Sequence, residues 1–280
     1  MPLFPFRHRR AAAFAAAALF AATSFAHTAV ALQCGNGGEG FETWLGTLKA
    51  LAAKQGIAQA AINSALAGVS YDPTVIRLDR SQHSFKLSFE QFYARRVDGA
   101  LIRRGQRLMQ THAATLAKVE QRFGVPPEVI IAIWGLETNY GAETSGKFNI
   151  VRSLATLAYD CRRTDFFTPQ LLDAIRIVER RDMTPAEMRG GWAGEIGQTQ
   201  FLPTPYVKYA VDFDGDGRRD LVHSVPDLLA STANFLKAYG WRAGQGWQPG
   251  SPNYAVLANW NKAEVYQRTI AVMAGKLKGG

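Results

Sequence analysis

The sequence contains few residues of the kinds that bind catalytic metals or act as covalent nucleophiles. Its five histidines include no pair at the spacing of a HExxH zinc motif, so zinc catalysis is not expected. It has no GxSxG segment, and Cys161 has no evident partner, which disfavours acyl transfer by a serine or cysteine nucleophile. We therefore do not expect hydrolysis by a catalytic zinc or by a serine or cysteine nucleophile.

Hydrophobic runs long enough to span a membrane are absent as well. The apolar run at residues 11–20 follows three arginines and precedes small residues, which is the pattern of a secretory signal peptide. A membrane anchor is the alternative, but the run is shorter than the roughly 20 residues that a spanning helix needs. We expect a signal peptide at residues 1–26, cleaved after Ala26 or Ala31, and no membrane span in the mature chain.

Cysteine is scarce, and the two that occur are Cys34 and Cys161. An even count in an exported chain predicts one disulfide. Two free thiols are the alternative, which an oxidising compartment disfavours. Lipidation of Cys34 is a further alternative, but the residue before it, Gln33, is not the small residue that a lipobox places there.

Composition predicts one globular domain with a basic surface. The chain has 280 residues, 47% of them hydrophobic, which is enough to bury a core, and no Pro/Ser-rich linker divides residues 27–280. The net charge is +9, and removal of a signal peptide with three arginines and no acids leaves 9 − 3 = +6. Such a charge suits an anionic polymer or envelope surface. Nucleic acid is not the expected partner, because the basic residues are scattered and form no nucleic-acid-binding motif.

An acidic segment at residues 212–227 matches a calcium-binding loop. Aspartates occupy its first, third, fifth and ninth positions, namely Asp212, Asp214, Asp216 and Asp220. Gly217 permits the sharp turn at position six, and Arg218 would offer its backbone carbonyl at position seven. Position twelve is His223 instead of glutamate, and Asp227 could supply the missing carboxylate. We therefore predict a structural Ca²⁺, with a metal-free acidic turn as the alternative.

Within the segment at residues 126–141, an apolar run at residues 129–136 leads to one carboxylate, Glu137. Pro126 and Pro127 at its start and Gly141 at its end predict a helix, and a helix apolar nearly all round is expected to be buried. Burial would raise the pKa of Glu137 and favour a proton donor near neutral pH. A buried acid paired with an arginine is the structural alternative.

Glycoside cleavage is the chemistry that fits such an acid, and it commonly uses two carboxylates. Glu143 lies in a Gly/Thr/Ser loop, where glutamate is more often simply solvated. Glu195 lies in a glycine-rich segment that we expect to line a cleft. A mechanism with one acid is also possible if the N-acetyl group of the substrate assists departure.

Three separated segments occur in a characteristic order. They are IWGLETNYG (residues 133–141), WAGEIGQTQFLPTPYVKYAVDFDGDGRRDL (residues 192–221) and NWNKAEVYQRTIAVMAGKL (residues 259–277). Together they resemble the family 103 lytic murein transglycosylases of the membrane-bound lytic transglycosylase B type. The likeness extends from about residue 41 to the C-terminus.

The resemblance implies a mainly α, α+β lysozyme-like fold with a goose-type-lysozyme-like core and an inserted EF-hand-like calcium loop. It implies a periplasmic enzyme that cleaves the MurNAc–GlcNAc β-1,4 bond of peptidoglycan glycan strands without water, giving 1,6-anhydromuramoyl ends. Glu137 would act as acid and then base, with no cofactor for the chemistry. Residues matching the sugar contacts of the family are Tyr93, Gln200, Phe201, Asn261 and Tyr266. The alternatives are burial in the core for Tyr93 and Phe201 and an N-cap for Asn261. Proteins of the cell-wall machinery are possible partners.

The chain departs from the family at two places in the second segment. Glu195-Ile196 stands where the family commonly has Ala-Met, and Gly191 stands where serine is frequent, so a serine contact to the sugar is not expected. Two alternatives remain for the function: a muramidase that admits water, and a non-catalytic peptidoglycan-binding protein.

Overall fold

Thirteen helices and one short two-stranded sheet are found in the described residues, which in this computed structural model are 32–82, 87–144 and 146–279. The first six helices are α1 (Phe41–Lys54), α2 (Gln59–Ala65), α3 (Pro73–Arg80), α4 (Phe89–Arg96), α5 (Gly99–Thr111) and α6 (Ala113–Phe123). The other seven are α7 (Pro127–Thr138), α8 (Ile150–Tyr159), α9 (Thr164–Glu179), α10 (Pro203–Tyr209), α11 (Val225–Ala238), α12 (Tyr254–Trp260) and α13 (Glu264–Lys278). The prediction of a mainly helical fold is confirmed.

The predicted signal peptide and both of its cleavage sites lie outside the described residues. From Leu32 onward the chain forms one compact unit. None of the helices in the described ranges is both long and apolar enough to cross a membrane.

Helix α7 is the centre of the core, as its apolar sequence predicts. Pro126 is its N-cap, Pro127 its first residue, and Asn139 ends it in a left-handed conformation with φ 49°. Every residue from 129 to 136 is buried, where α7 packs against α13, α5, α11 and α6. Each large aliphatic side chain buried in this way contributes about 1.5–3 kcal/mol, so the helix is held by its surroundings on all sides.

The sheet fixes the start of the glycine-rich segment. Strand β1 (Phe148–Asn149) pairs antiparallel with β2 (Arg189–Gly190), and Phe148 lies opposite Gly190. Further along, Ile196 and Phe201 exchange backbone hydrogen bonds of 2.7 and 3.0 Å. The segment between α9 and α10 is therefore anchored twice, although it contains no helix.

The predicted disulfide between Cys34 and Cys161 is present, with an S–S distance of 2.05 Å. Beside it, the Gly35 N–H donates to the Tyr159 carbonyl at 2.9 Å, and the Cys161 N–H donates to the Gly35 carbonyl at 3.2 Å. The disulfide joins positions that are 127 residues apart, so it restricts the unfolded chain strongly.

Removing the disulfide should destabilise the protein. For a double Cys34→Ser/Cys161→Ser variant we expect the free energy of unfolding to fall by roughly 2–5 kcal/mol. The reason is that the disulfide closes a long ring and so lowers the conformational entropy of the unfolded chain, and the variant loses this effect. Guanidinium denaturation of the oxidised wild type and the variant measures the difference. Thiol labelling of the unreduced wild type, together with equal stability of the variant, would contradict the assignment.

Candidate active site

The carboxylate of Glu137 is held through one of its two oxygens. Oε1 accepts hydrogen bonds from Trp260 Nε1 and from the Tyr266 hydroxyl, each at 2.8 Å. Trp260 ends α12 and Tyr266 lies in the first turn of α13. Oε2 receives no hydrogen bond from the described part of the chain, so it is the oxygen available to a ligand.

The surroundings of Glu137 keep a proton on it to higher pH than usual. Burial raises the pKa of this carboxyl, and the charge of Glu195 adds to the increase. The hydrogen bonds from Trp260 and Tyr266 and the charge of Arg96 lower the pKa, but they compensate only in part. Burial and the nearby Glu137 charge also raise the pKa of Tyr266 well above its usual value, so Tyr266 remains a hydrogen-bond donor.

Glu137 opens into a cleft of about 460 Å³. Two walls of the cleft are aromatic. One is Phe201 in the loop before α10, and the other is Trp260 at the end of α12. The polar residues that line the cleft are Gln82, Glu137, Arg163, Glu195, Thr199, Gln200, Asn259 and Asn261. A cleft with an acid at one point and amides, an arginine and aromatic rings around it suits a polar ligand with apolar faces, such as a sugar.

Of the five predicted sugar contacts, three line this cleft: Gln200, Phe201 and Asn261. Tyr266 lies behind Glu137, buried, and bonds to its carboxylate. Tyr93 lines a different depression, where Lys276 Nζ lies 4.9 Å from the centre of its ring. The assignment of all five as sugar contacts stays a prediction.

Backbone geometry orients the cleft residues. Gln200 has φ 53°, and its side-chain amide donates to the Gly197 carbonyl at 2.8 Å. The Phe201 ring packs edge-on against Trp260 with 5.4 Å between ring centroids. Asn261 is not the N-cap of α13, but its Oδ1 accepts the Ala263 N–H at 2.9 Å and so helps to start that helix.

Glu195 is the second carboxylate of the cleft, whereas Glu143 is exposed and does not line it. Oε2 of Glu195 accepts the Ala193 N–H at 3.0 Å. Burial raises the pKa of Glu195, although backbone N–H groups and Arg163 lower it in part. A Cβ at position 191 would lie 2.1 Å from this Oε2, so Gly191 provides the space that the Glu195 side chain occupies.

Two further residues of the site had not been singled out from the sequence. Trp260 is the neighbour in sequence of Asn261, which was predicted to contact sugar. This adjacency was the signal that could have identified Trp260 as a residue of the site. Arg163 lies over the Phe167 ring, with 4.5 Å from Cζ to the centroid, and its Nη1 is 3.7 Å from Asp79. Asp79 is buried, so it can hold the arginine at the cleft wall.

Gln198 connects the helix of Glu137 to the acidic loop. Its Oε1 accepts from Trp134 Nε1 at 3.0 Å, and its backbone carbonyl accepts from the Thr138 hydroxyl at 2.5 Å. Its Nε2 donates to the Val222 carbonyl at 2.7 Å. A single glutamine in a glycine-rich segment gave no sequence signal for this role.

The acidic loop brings together three of its five predicted carboxylates. Oxygens of Asp212, Asp214 and Asp227 all lie within 4.8 Å of one another. Gly217, with φ 91°, makes the turn that was predicted for it. Burial raises the pKa of Asp227, and the charge of Asp214 adds to this effect, so a cation would relieve repulsion within the cluster.

The remaining predicted ligands bond locally. Asp216 accepts the Arg218 N–H at 2.8 Å. Asp220 accepts the N–H groups of Val222 and His223 through Oδ1, and its Oδ2 lies 3.0 Å from the His223 ring. Their roles as ligands, and that of the Arg218 carbonyl, stay predictions.

The fold and the site define a class. A helical domain whose sugar-sized cleft contains a glutamate held by two hydrogen-bond donors is the arrangement expected of a lysozyme-like glycan-cleaving protein. Residues 40–250 match the family described as Transglycosylase SLT domain, and the chain belongs to that family.

Individual relatives agree with this assignment. Over 146 residues the chain is 39% identical to the membrane-bound lytic murein transglycosylase B of Escherichia coli K12, an alignment that spans 49% of this chain and 40% of that protein. SltB3 from Pseudomonas aeruginosa, solved in complex with NAG-NAM-pentapeptide, is 35% identical with a TM-score of 0.81, covering 87% of this chain and 81% of SltB3. The Escherichia coli lytic transglycosylase Slt35, solved in complex with calcium, shares the fold at 22% identity, with a TM-score of 0.73 over 88% of this chain and 96% of Slt35.

Replacing Tyr266 by phenylalanine should raise the pKa of Glu137 further, because the hydroxyl stabilises the charged carboxylate in the wild type. NMR titration of the Glu137 side-chain carbonyl carbon measures this pKa. Tyr239→Phe, which removes a hydroxyl from an exposed ring, is the matched control and should leave it unchanged. An unchanged or lower pKa in Tyr266→Phe would show that the hydroxyl does not control this carboxyl.

Proposed function

We propose that this protein is a lytic transglycosylase that cleaves the MurNAc–GlcNAc β-1,4 bond of peptidoglycan and forms 1,6-anhydromuramoyl ends. The observation that carries the proposal is Glu137, whose Oε1 is fixed by two donors while Oε2 is left for a ligand. Membership of the transglycosylase family supports the same reaction. The relative from Pseudomonas aeruginosa was solved with NAG-NAM-pentapeptide bound, which supports the same class of substrate here.

Glu137 would act twice. Its raised pKa favours the acid form, and as an acid it protonates the glycosidic oxygen while the C1–O bond breaks. The N-acetyl group of the muramoyl residue stabilises the positive charge at C1. The resulting carboxylate then takes the proton of the C6 hydroxyl as that oxygen bonds to C1, which returns Glu137 to its acid form. A hydroxyl held in the same sugar has a high effective concentration.

The two donors on Oε1 suit both halves of this cycle. They hold the carboxyl in one orientation, and they stabilise the carboxylate that exists between the two proton transfers. Phe201 and Trp260 form an apolar wall beside it, which limits the access of water. Activity is expected to fall as the pH rises through the raised pKa of Glu137, because the acid form starts the reaction.

A hydrolytic muramidase is the second candidate, and Glu195 is the observation that favours it. This carboxylate lines the same cleft as Glu137, and a second carboxylate can activate water in glycosidases. A non-catalytic peptidoglycan-binding protein is less compatible with the arrangement, because a binding site has no need for an acid of raised pKa.

We further propose export to the periplasm, where peptidoglycan lies. The N-terminal pattern of the sequence supports export, and the disulfide is compatible with an oxidising compartment. Components of the cell-wall machinery are the expected protein partners.

We also propose that the acidic loop binds Ca²⁺. Asp212, Asp214 and Asp227 would hold the ion, since their carboxylate oxygens already converge and hard oxygen ligands are those that Ca²⁺ prefers. Its role would be to neutralise the acids and hold the loop together. The Slt35 structure in complex with calcium, from a protein of the same fold, supports this choice of ion.

Glu137→Gln tests the catalytic proposal. The amide keeps the side-chain shape and an acceptor for Trp260 and Tyr266 but cannot deliver a proton, so release of soluble fragments from purified peptidoglycan should fall at least roughly 100-fold. The control Glu42→Gln changes an exposed residue of α1 and should retain activity. Full activity of Glu137→Gln would overturn the assignment, and binding without any fragments from the wild type would favour the non-catalytic alternative.

The products of peptidoglycan cleavage distinguish a lytic transglycosylase from a hydrolytic muramidase. Mass spectrometry should find anhydro ends in the fragments from the wild type, because a reducing end is one water heavier. Predominantly reducing ends that disappear in Glu195→Gln would instead identify a muramidase that uses Glu195.

Chelation tests the metal. At a free Ca²⁺ concentration of 100 times Kd the ion would add about 2.7 kcal/mol to stability, so chelation should lower the Tm by roughly 5–10 °C for a domain of this size. Asp212→Asn should abolish the sensitivity to chelator, whereas Glu39→Gln, an exposed acid outside the loop, should preserve it. If chelation leaves the Tm of the wild type unchanged, the proposal that the loop binds Ca²⁺ is wrong.

A further inference from the structure

One residue outside the cleft, Gln198, bonds to α7 on both sides of Glu137. Its side-chain Oε1 accepts from Trp134 Nε1 at 3.0 Å, and its backbone carbonyl accepts from the Thr138 hydroxyl at 2.5 Å. Trp134 comes three residues before the acid and Thr138 directly after it, and helix residues four apart lie on the same face. Gln198 therefore spans the last turn of α7, and we call these two bonds the Gln198 clamp.

The turn that carries Glu137 is the end of its helix, where backbone hydrogen bonds constrain the chain least. The last carbonyl groups of a helix have no partner within the helix. Here the chain also turns away at once, because Asn139, Tyr140 and Gly141 have left-handed φ values of 49°, 57° and 82°. The position of Glu137 therefore depends on contacts from other parts of the chain.

Position 141 leaves the space that the clamp needs. A Cβ at Gly141 would lie 2.2 Å from Gln198 Oε1, so any larger residue would displace the amide that Trp134 bonds to. The Gly141 N–H also donates to the Thr138 hydroxyl oxygen at 3.0 Å, which fixes the second partner of Gln198. The glycine after the helix thus supports both bonds of the clamp.

Gln198 is itself held from the opposite side. Its backbone N–H donates to the Leu221 carbonyl at 2.9 Å, and its Nε2 donates to the Val222 carbonyl at 2.7 Å. Each of its two backbone and two side-chain polar atoms therefore has one partner, which leaves the side chain a single orientation. Gln200 and Phe201, which line the cleft, follow within three residues. The clamp consequently sets the position of the acid relative to the cleft wall.

We propose that Gln198 is a positioning residue for the reaction, which holds the Glu137 carboxyl where Trp260 and Tyr266 bond to one of its oxygens and the ligand meets the other. The proposal rests on the proposed function, because it concerns proton transfer by Glu137. Gln198 is not among the residues that line the cleft, so it acts only through the acid. Misplacing a reacting group by about 1 Å can lower a rate by roughly 100-fold. Ligand binding depends on the whole cleft wall and should change much less.

The test compares Gln198→Met with Gln121→Met. Methionine is similar in length to glutamine, but it has no donor and only a weakly accepting sulfur, so the side-chain bonds are lost and the space stays filled. Gln121 is exposed on α6, and its variant should match the wild type. For Gln198→Met we expect kcat for release of soluble fragments from peptidoglycan to fall roughly tenfold, with KM within about twofold. An unchanged kcat, or a loss confined to KM, overturns the proposal.

Trp134→Phe removes the same hydrogen bond from the side of α7 while keeping an aromatic ring. It should show the same fall in kcat at nearly constant KM. This variant also decides the matter if Gln198→Met does not fold. A normal kcat in Trp134→Phe overturns the proposal, because the bond between Trp134 and Gln198 would then have no effect on the acid.

Two indole N–H signals provide a readout that does not need cleavage. Trp134 Nε1 bonds to Gln198, whereas Trp260 Nε1 bonds to Glu137 Oε1, so NMR follows the clamp and the acid separately in the protein without substrate. In Gln198→Met we expect hydrogen exchange at both indoles to become faster by roughly tenfold. Faster exchange at Trp134 alone overturns the proposal. If the wild type releases no fragments, the proposed function is refuted, and the comparison of the two indoles still decides whether Gln198 holds Glu137.

Discussion

The hydrogen bonds that Trp260 and Tyr266 donate to one oxygen of Glu137 are the interaction around which the site is built. They join the ends of three helices, α7, α12 and α13, at a single atom. Without these donors, a carboxylate enclosed in this way would pay the full cost of desolvation. With them, the group can exist in both protonation states, and its other oxygen accepts no hydrogen bond from the described residues. Proton donation and proton acceptance can therefore occur at the same position.

Much of the fold and the central acid could be predicted, because the signals were local. Prolines define the start of α7 without reference to the rest of the chain, whereas the helix stops at Asn139, two residues before the Gly141 that the sequence indicated. The disulfide followed from a count of two cysteines. Trp260 and Gln198 were not found, since their roles depend on where distant loops meet. Periodicity and spacing describe one element at a time, whereas these side chains connect elements more than 60 residues apart.

The glycine-rich segment shows how two departures from a family pattern can have one cause. The side chain of Glu195 fills the space beside Gly191, where any larger residue would collide with it. A serine at 191 and a glutamate at 195 therefore exclude each other in this conformation. The sequence showed two separate differences, and the structure shows a single exchange of a hydroxyl for a carboxylate. That exchange changes the polar group available to a ligand.

Gln198 makes the acidic loop and the last turn of α7 parts of one cooperative unit. Its side chain contacts Trp134 at one end and the Val222 carbonyl at the other. If the loop opens, Gln198 loses its acceptor at Val222, and its bond to Trp134 is no longer held from the side of the loop. A local unfolding event in the loop would thus reach α7 through two hydrogen bonds in series. The order of the turn that carries Glu137 therefore depends on the loop as well as on the packing of α7 itself.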